Sequence, residues 1–410
     1  MPNVTHGFDT ARLDRIGAWM QRYVDERKYP GSSVLIHRGD SEVYFHAAGW
    51  RDVENNLLFQ SDTVARIYSM TKPVTSVALM MLAELGLFQL EAPVSEFIPE
   101  FNNMQALVKG ATAIDQVEAS RAPTLRQLLT HTSGLSYPFN PGVLPQEMEA
   151  QDILFRPNHG PLAEMVVKAA ELPLAFQPGS RWEYSIGIDI LGRVVEVVSG
   201  LSLEAFFKDQ IFEPLGMTQT GFSVPKDTGD RFASLYTPLA GDAMALNATQ
   251  EKDDTLRRVD RAGKSPFEAA TMASGGGGLV GTIDDYMTFS NMLRRGGDTP
   301  NGRLLSPNTL KFMMRNHLPG DIASMGPASF AEQPMEGMGF GLGGAVVLDP
   351  GRVGAAGNTG DFSWGGMAST FFWIDPVMDL SVVFFTQLSP SSSYPARAEL
   401  KALVHGALLA

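Results

Sequence analysis

From Ile67 to Gly86 the chain reads Ile-Tyr-Ser-Met-Thr-Lys-Pro, then Val-Thr-Ser-Val-Ala-Leu-Met-Met-Leu-Ala-Glu-Leu-Gly. A helix drawn through this stretch is apolar almost all round, so it has to be buried in a sizeable domain. It is too short and too interrupted to span a bilayer. Pro73 is tolerated near the start, where N–H groups have no helical partner. Ala, Leu and Met propagate the helix, and Gly86 is a plausible stop.

The start of that helix carries chemistry. Ser69 and Lys72 are three apart, so their side chains share a face and can meet. A serine hydroxyl is a poor nucleophile until a neighbour takes its proton. A lysine can take it only as a neutral amine, a form that an apolar pocket favours. The helix N-terminus also favours an oxyanion forming beside it. A chain of this size holds about one Ser-x-x-Lys spacing by chance, so context must decide. A second one, Ser223-Val224-Pro225-Lys226, lies among Gly221, Asp227 and Gly229 and reads as a loop. Only Ser69 opens a long apolar helix. That context puts the Ser69 reading ahead; the alternative reading of the pair is a serine cap and a solvated lysine.

The 410 residues are 44% hydrophobic and 19% charged, which suits a globular chain of two domains, or one with an insertion. The net charge of −13 provides no basic field for phosphates and argues against a nucleic-acid partner. With no cysteine, disulfides, thiolate metal sites and a cysteine nucleophile are excluded. No metal-ligand cluster is visible, and neither metal nor cofactor is expected. Met1 to Asp9 lacks a basic stretch followed by an apolar core, and no segment is long enough to span a membrane. The expectation is a cytoplasmic protein with no membrane partner. Its oligomeric state is left open.

Asp9 is placed to cap a helix running to about Lys28, with Leu13, Ile16, Met20, Tyr23 and Val24 on one face. Ser33–His37 and Glu42–His46 read as a hairpin turning at Arg38-Gly39-Asp40. From residue 91 to 334 helical periodicity dominates. Thr124 to Leu135 contains a short capped helix, and Ile186 to Val198 a longer one. Asp284 to Leu293 is a third. His131 is either a general base or a locally packed histidine, and the packed reading takes the larger share. Ser274-Gly-Gly-Gly-Gly278 lacks the ending of a phosphate loop and reads as a tightly packed turn. Strands return at Met338–Leu348, Met367–Ile374 and Leu380–Phe385, and Pro395–Leu409 closes as a helix. The expected fold is α/β. Residues 1–90 and 335–410 form an antiparallel sheet flanked by helices, and 91–334 form an inserted, mainly helical domain.

Three phrases occur in order: Ser69-Met70-Thr71-Lys72, Tyr184-Ser185, and Trp364-Gly365-Gly366-Met367 before a strand. Thr124 to Leu135, Ser274 to Gly281 and Gly357-Asn358-Thr359-Gly360 flank them. Together they resemble the serine β-lactamase and penicillin-binding superfamily over nearly the whole chain. Within it the chain looks most like the class C-related esterases called family VIII carboxylesterases. Lactamases of this superfamily usually carry Lys-Thr-Gly or a close variant before the strand, and that cation meets the substrate carboxylate. Here Trp364-Gly365-Gly366 supplies none. Ile186 also stands where the class C Tyr-x-Asn pattern has an amide-binding Asn. Both departures point to neutral esters.

The resemblance implies a class C-like fold and a small-molecule ester substrate, of short to medium acyl chain. It implies Ser69 as nucleophile, with Lys72 and Tyr184 sharing the proton work. The N–H groups of Ser69 and Met367 are the implied oxyanion hole. Trp364, Gly365 and Gly366 are the implied substrate wall. Acyl transfer to another acceptor, or hydrolysis of amides, D-peptides or β-lactams, uses the same core, since fold does not fix substrate. A non-catalytic relative would lack Ser69, Lys72 or Tyr184. The absence of a Gly-x-Ser-x-Gly elbow argues against a Ser-His-Asp hydrolase.

Overall fold

The computed structural model describes residues 4–240, 252–300 and 302–409; the first three residues of the Met1–Asp9 stretch read above lie outside them. Helix α1 spans Thr10–Asp25, and the Asp9 side chain caps it through the Arg12 N–H. Strands β1 (Gly31–Arg38) and β2 (Ser41–Asp52) form the expected hairpin. A 3-10 turn at Tyr68–Met70 leads into helix α2, Thr71–Glu84. Helices α3 (Leu125–Leu129), α4 (Gly187–Ser199) and α5 (Ile283–Arg294) belong to the long middle segment.

One antiparallel sheet of eight strands organises the molecule. Besides β1 and β2 it contains β3 (Leu57–Leu58), β4 (Met338–Phe340), β5 (Ala345–Val347), β6 (Phe362–Gly365), β7 (Phe371–Asp375) and β8 (Leu380–Thr386). Their order is β4-β5-β6-β7-β8-β1-β2-β3, so strands from the two ends of the sequence meet where β8 pairs with β1. Successive side chains in a strand point to opposite faces. Val34, Ile36, Phe371, Trp373, Val382 and Phe384 pack on one side with α1 and the C-terminal helix α6, Ala396–Ala407. Leu35, Phe372, Ile374, Val383 and Phe385 pack on the other with α2 and the middle segment. Both faces are covered, which is why β7 and β8 read as nearly continuous apolar runs.

Two expectations shift. Helix α5 lies against β1, β7 and β8, so a piece of the expected insertion, 91–334, belongs to the sheet layer. The strand expected from Met367 begins at Phe371, and Trp364 and Gly365 are instead the last residues of β6. The Gly366 N–H donates to the Thr370 carbonyl (2.7 Å), closing the turn that carries Met367. Ser369, at φ +62°, takes the left-handed bend of that turn, which no continuous strand accommodates.

The sheet face under α1 and α6 is tied together by one carboxylate. Glu399 accepts from Trp19 Nε1 (2.6 Å) and Tyr23 OH (2.8 Å). Glu399→Ala leaves two donors without an acceptor. Chemical denaturation is expected to show a loss of about 2–6 kcal/mol, at about 1–3 kcal/mol for each of the two partly buried donors.

Candidate active site

The turn holding Ser69 is pinned from several directions. Gln387 brackets Arg66, accepting from its backbone N–H and donating to its carbonyl, each at 3.0 Å. The Ile67 N–H donates to the Leu279 carbonyl, and Tyr286 OH of α5 donates to the Met70 carbonyl (2.9 Å). Tyr68, immediately before Ser69, is held at φ +42°. Such a conformation costs about 1–3 kcal/mol in a non-glycine residue and persists only where surroundings enforce it.

Lys72 is fully buried. Its Nζ lies 3.2 Å from Ser69 Oγ, 3.0 Å from Tyr137 OH and 2.7 Å from the Gly276 carbonyl oxygen. The Gly276 carbonyl can only accept. Tyr137 OH donates to Asp189 Oδ2 (3.4 Å), so its oxygen is left to accept from Lys72. Burial, followed by the charge of Asp189, pushes the Tyr137 phenol well above its ordinary range and keeps it a neutral donor. Two Lys72 N–H directions are thereby fixed, and the third position faces Ser69 Oγ. As an ammonium Lys72 donates there; as an amine it presents its lone pair to the Ser69 proton.

Asp189, on the first turn of α4, is buried beside this amine. It accepts from Ser274 Oγ (2.6 Å) and the Gly276 N–H (2.9 Å). Burial raises its pKa, and Lys72 pulls the other way. The approach of the Ser274–Gly278 turn is so close that a Cβ on Gly276 would lie 2.2 Å from Asp189 Oδ2. The expected tight packing of this turn is borne out, and its task is to carry a carbonyl to Lys72.

Tyr184 is buried, with its ring centroid 4.6 Å from Lys72 Nζ. The ring of Tyr137 lies 5.1 Å away and that of Trp364 5.4 Å. His131 is packed, as the larger share of the sequence reading had it. Its Nδ1 accepts from the Ser185 N–H (3.2 Å) and lies 3.0 Å from Ser185 Oγ, and its carbonyl accepts from the Glu183 N–H. These bonds on either side of Tyr184 set that residue's place.

Ser69, Tyr184, Trp364, Gly365, Gly366 and Met367 all line one cavity of about 930 Å³. Lys72 sits behind Ser69. The turn carrying Met367 is fastened to the nucleophile segment by Thr370 Oγ1, which donates to the Ile67 carbonyl (3.4 Å). The Met367 N–H has no backbone partner among the described residues. The segments Tyr137–Leu154 and Gln333–Leu348 both contribute to its wall. Ser223 and Lys226 do not.

A family model described as Beta-lactamase matches residues 16–406. The chain belongs to the Beta-lactamase family. Esterase EstB of Burkholderia gladioli is 29% identical, over 92% of this chain and 90% of that protein. Lovastatin esterase of Penicillium rubens is 30% identical, over 87% and 88%. The solved structure of EstCE1, described as a hydrolase with promiscuous acyltransferase activity, superposes with a TM-score of 0.79. It is 28% identical and covers 98% of this chain and 99% of its own. The class C-like α/β fold and the family VIII resemblance are both in keeping with these relatives. Among the described residues, no helix is long and apolar enough to cross a membrane.

For this Beta-lactamase family member, sequence reasoning missed Tyr137, Asp189 and the Gly276 carbonyl. Asp189 left a signal, being an acid between Ile188 and Ile190 on a helix otherwise apolar there. Tyr137 left none, because it follows an irregular turn. One cluster was also not foreseen. Asp361, Asp375 and His405 bring possible ligand atoms within 4.8 Å of one another. Lys401 Nζ already meets Asp361 (2.9 Å) and Asn358 Nδ2 meets Asp375 (2.7 Å), so the group reads as an ion-paired tie between β6, β7 and α6.

The buried histidine sets a pH dependence. Burial first, then the charge of Lys72, holds His131 well below its usual pKa. An unfolded histidine titrates near about 6.5 and takes up a proton that the folded one refuses. Stability is therefore full above that pH and falls as pH drops toward the folded value. His37, His317 and His405, also lowered chiefly by burial, add to the same slope. His131→Gln is expected to flatten the slope of unfolding free energy between about pH 6.5 and 5 by up to about 1.4 kcal/mol per pH unit, measured by denaturant titration. An unchanged slope would refute the assignment.

Proposed function

We propose that this chain is a serine esterase that hydrolyses neutral carboxylic esters of short to medium acyl length through an acyl-enzyme on Ser69. The observation that carries the reading is the 3.2 Å approach of Lys72 Nζ to Ser69 Oγ at the wall of a largely apolar cavity. Relatives named as esterases support it.

Ser69 Oγ attacks the ester carbonyl as its proton moves to the Lys72 lone pair. The negative charge that develops on the carbonyl oxygen is met by the N–H groups of Ser69 and Met367. Lys72 and Tyr184, in contact through the amine and the ring, return the proton to the departing alcohol. Water then enters, gives up a proton to the same pair, and releases the acid. Tyr137 keeps its own proton, hydrogen-bonded to Asp189, and orients the amine. Wall residues such as Phe139, Phe330 and Trp364 exclude water and suit an uncharged acyl or alcohol group.

A second reading is acyl transfer, in which an alcohol takes the place of water on the same acyl-enzyme. It is favoured by the likeness to EstCE1, whose description includes promiscuous acyltransferase activity. β-Lactam or D-peptide hydrolysis draws less support, since neither Trp364 nor Ile186 can replace the Lys and Asn of lactamases.

Paired assays on p-nitrophenyl butyrate and a chromogenic cephalosporin test this. Fast ester turnover with little lactam turnover is expected. Ser69→Ala is expected to abolish the acyl-enzyme seen by intact mass, and Ser223→Ala to leave activity unchanged. Loss in Ser223→Ala alone, with the fold intact, would reassign the nucleophile. Tyr137→Phe and Tyr184→Phe are each expected to lower kcat by about 100-fold, the usual yield of a positioned proton carrier or its orienter. A chelator is expected to change nothing.

A further inference from the structure

The cavity wall holds an acceptor that the proton machinery does not use. Asn140 lies in the same loop as Tyr137, and its backbone N–H donates to the Tyr137 carbonyl (3.0 Å). Its side chain is half-buried and lines the cavity. The amide nitrogen is fully engaged. Nδ2 lies 2.8 Å from the Tyr184 carbonyl oxygen and 3.1 Å from Ser136 Oγ.

These partners fix which end of the amide is which. A backbone carbonyl can only accept, so the atom facing Tyr184 is the nitrogen. The buried Ser136 hydroxyl gives its one proton to Glu183 Oε1 (2.5 Å), so its oxygen accepts from that same nitrogen. Both Nδ2 protons are thereby committed to the protein. Oδ1 diverges from Nδ2 and is turned away from both partners. It has no donor among the described residues, and it is not sealed off from the cavity. The wall beside it is apolar, formed by Phe139, Pro141 and Leu154. A plain alkyl chain laid over this wall strips water from Oδ1 and leaves the acceptor unmet, which costs more than the bond itself is worth. A hydroxyl on that chain takes the place of the water and restores the bond.

We infer that Asn140 Oδ1 is a specificity-determining acceptor, which selects esters bearing a hydroxyl group over their plain alkyl counterparts. The inference rests on the esterase reading and narrows its substrate class within the neutral esters. Asn140 takes no part in bond breaking. Its nitrogen holds the Tyr184 backbone, and its oxygen reads the substrate.

The test compares kcat/KM in two series, followed by titration of the released acid. One series carries the hydroxyl on the acyl half: methyl β-hydroxybutyrate and methyl ω-hydroxyhexanoate against methyl butyrate and methyl hexanoate. The other carries it on the alcohol half: the monobutyrates of ethylene glycol and butanediol against ethyl and butyl butyrate. Wild type is expected to prefer the hydroxylated members of one series, and that series identifies the half that reaches Asn140. Asn140→Ala also loses the tie to Tyr184, which slows every ester alike, so the readout is the ratio of hydroxylated to plain ester. That ratio is expected to fall by about tenfold, the scale of one hydrogen bond. Asn140→Asp keeps an oxygen toward the cavity while losing both donors. It is expected to slow all esters yet retain the preference, which separates the acceptor from the tie. The inference is overturned if wild type treats hydroxylated and plain esters alike, or if Asn140→Ala slows them in equal proportion. Failure of the esterase reading would appear separately, as no turnover of p-nitrophenyl butyrate by the wild-type enzyme.

Discussion

An amine with no access to water has to find its hydrogen-bond partners within the protein, and around Lys72 most of the site follows from that requirement. A buried ion costs several kcal/mol unless it is paired and its donors are met. Here the partners come from four segments: Ser69 from its own turn, Tyr137 from the loop after α3, the Gly276 carbonyl from the glycine turn, and Asp189, one bond further out, from α4. Each segment is held in turn by the others. The Gly276 N–H and Ser274 hydroxyl complete Asp189, and the Leu279 N–H donates to Thr71 on α2. Removing one partner would unsettle the rest, because unmet buried polar groups cost more than the bonds they replace.

The same arrangement gives the amine a direction. The Gly276 carbonyl can only accept, and Tyr137, its own proton committed to Asp189, accepts as well, so the remaining position of the amine is committed to Ser69. Aromatic rings complete the enclosure. Tyr137 and Tyr184 lie within 5.2 Å and 4.6 Å of the nitrogen, measured to their centroids. Phe330 lies 4.8 Å from Tyr184 and stacks at 6.1 Å on Trp364. These faces stabilise a cation, exclude water and leave the carbonyl-binding side open.

The sheet supplies the opposite wall. Because β8 pairs with β1, the two ends of the chain build one rigid platform. The β6–β7 turn then comes to rest on Ile67, two residues before the nucleophile. This explains how Met367 and Ser69, nearly three hundred residues apart, share one cavity.

Much of this was legible in the amino-acid order alone. The all-round apolar run after Lys72 required a buried helix, and spacing put Ser69 and Lys72 on one face. Alternating and continuous apolar runs gave the strands and their flanking helices, since local periodicity reports which faces meet the core. The turn residues at Arg38-Gly39-Asp40 and the Thr124 cap gave boundaries for the same local reason. What the order could not reveal is which distant groups complete a site. Tyr137 rather than Tyr184 donates to Asp189 beside the amine, and Asp189 lies under it. Those facts depend on how separate segments pack, and a hydrogen bond across 65 or 204 positions leaves no periodicity in the chain. Sequence determined the elements and the nucleophile's neighbourhood; only the tertiary structure decided the partners, because partnership is a property of distance in space.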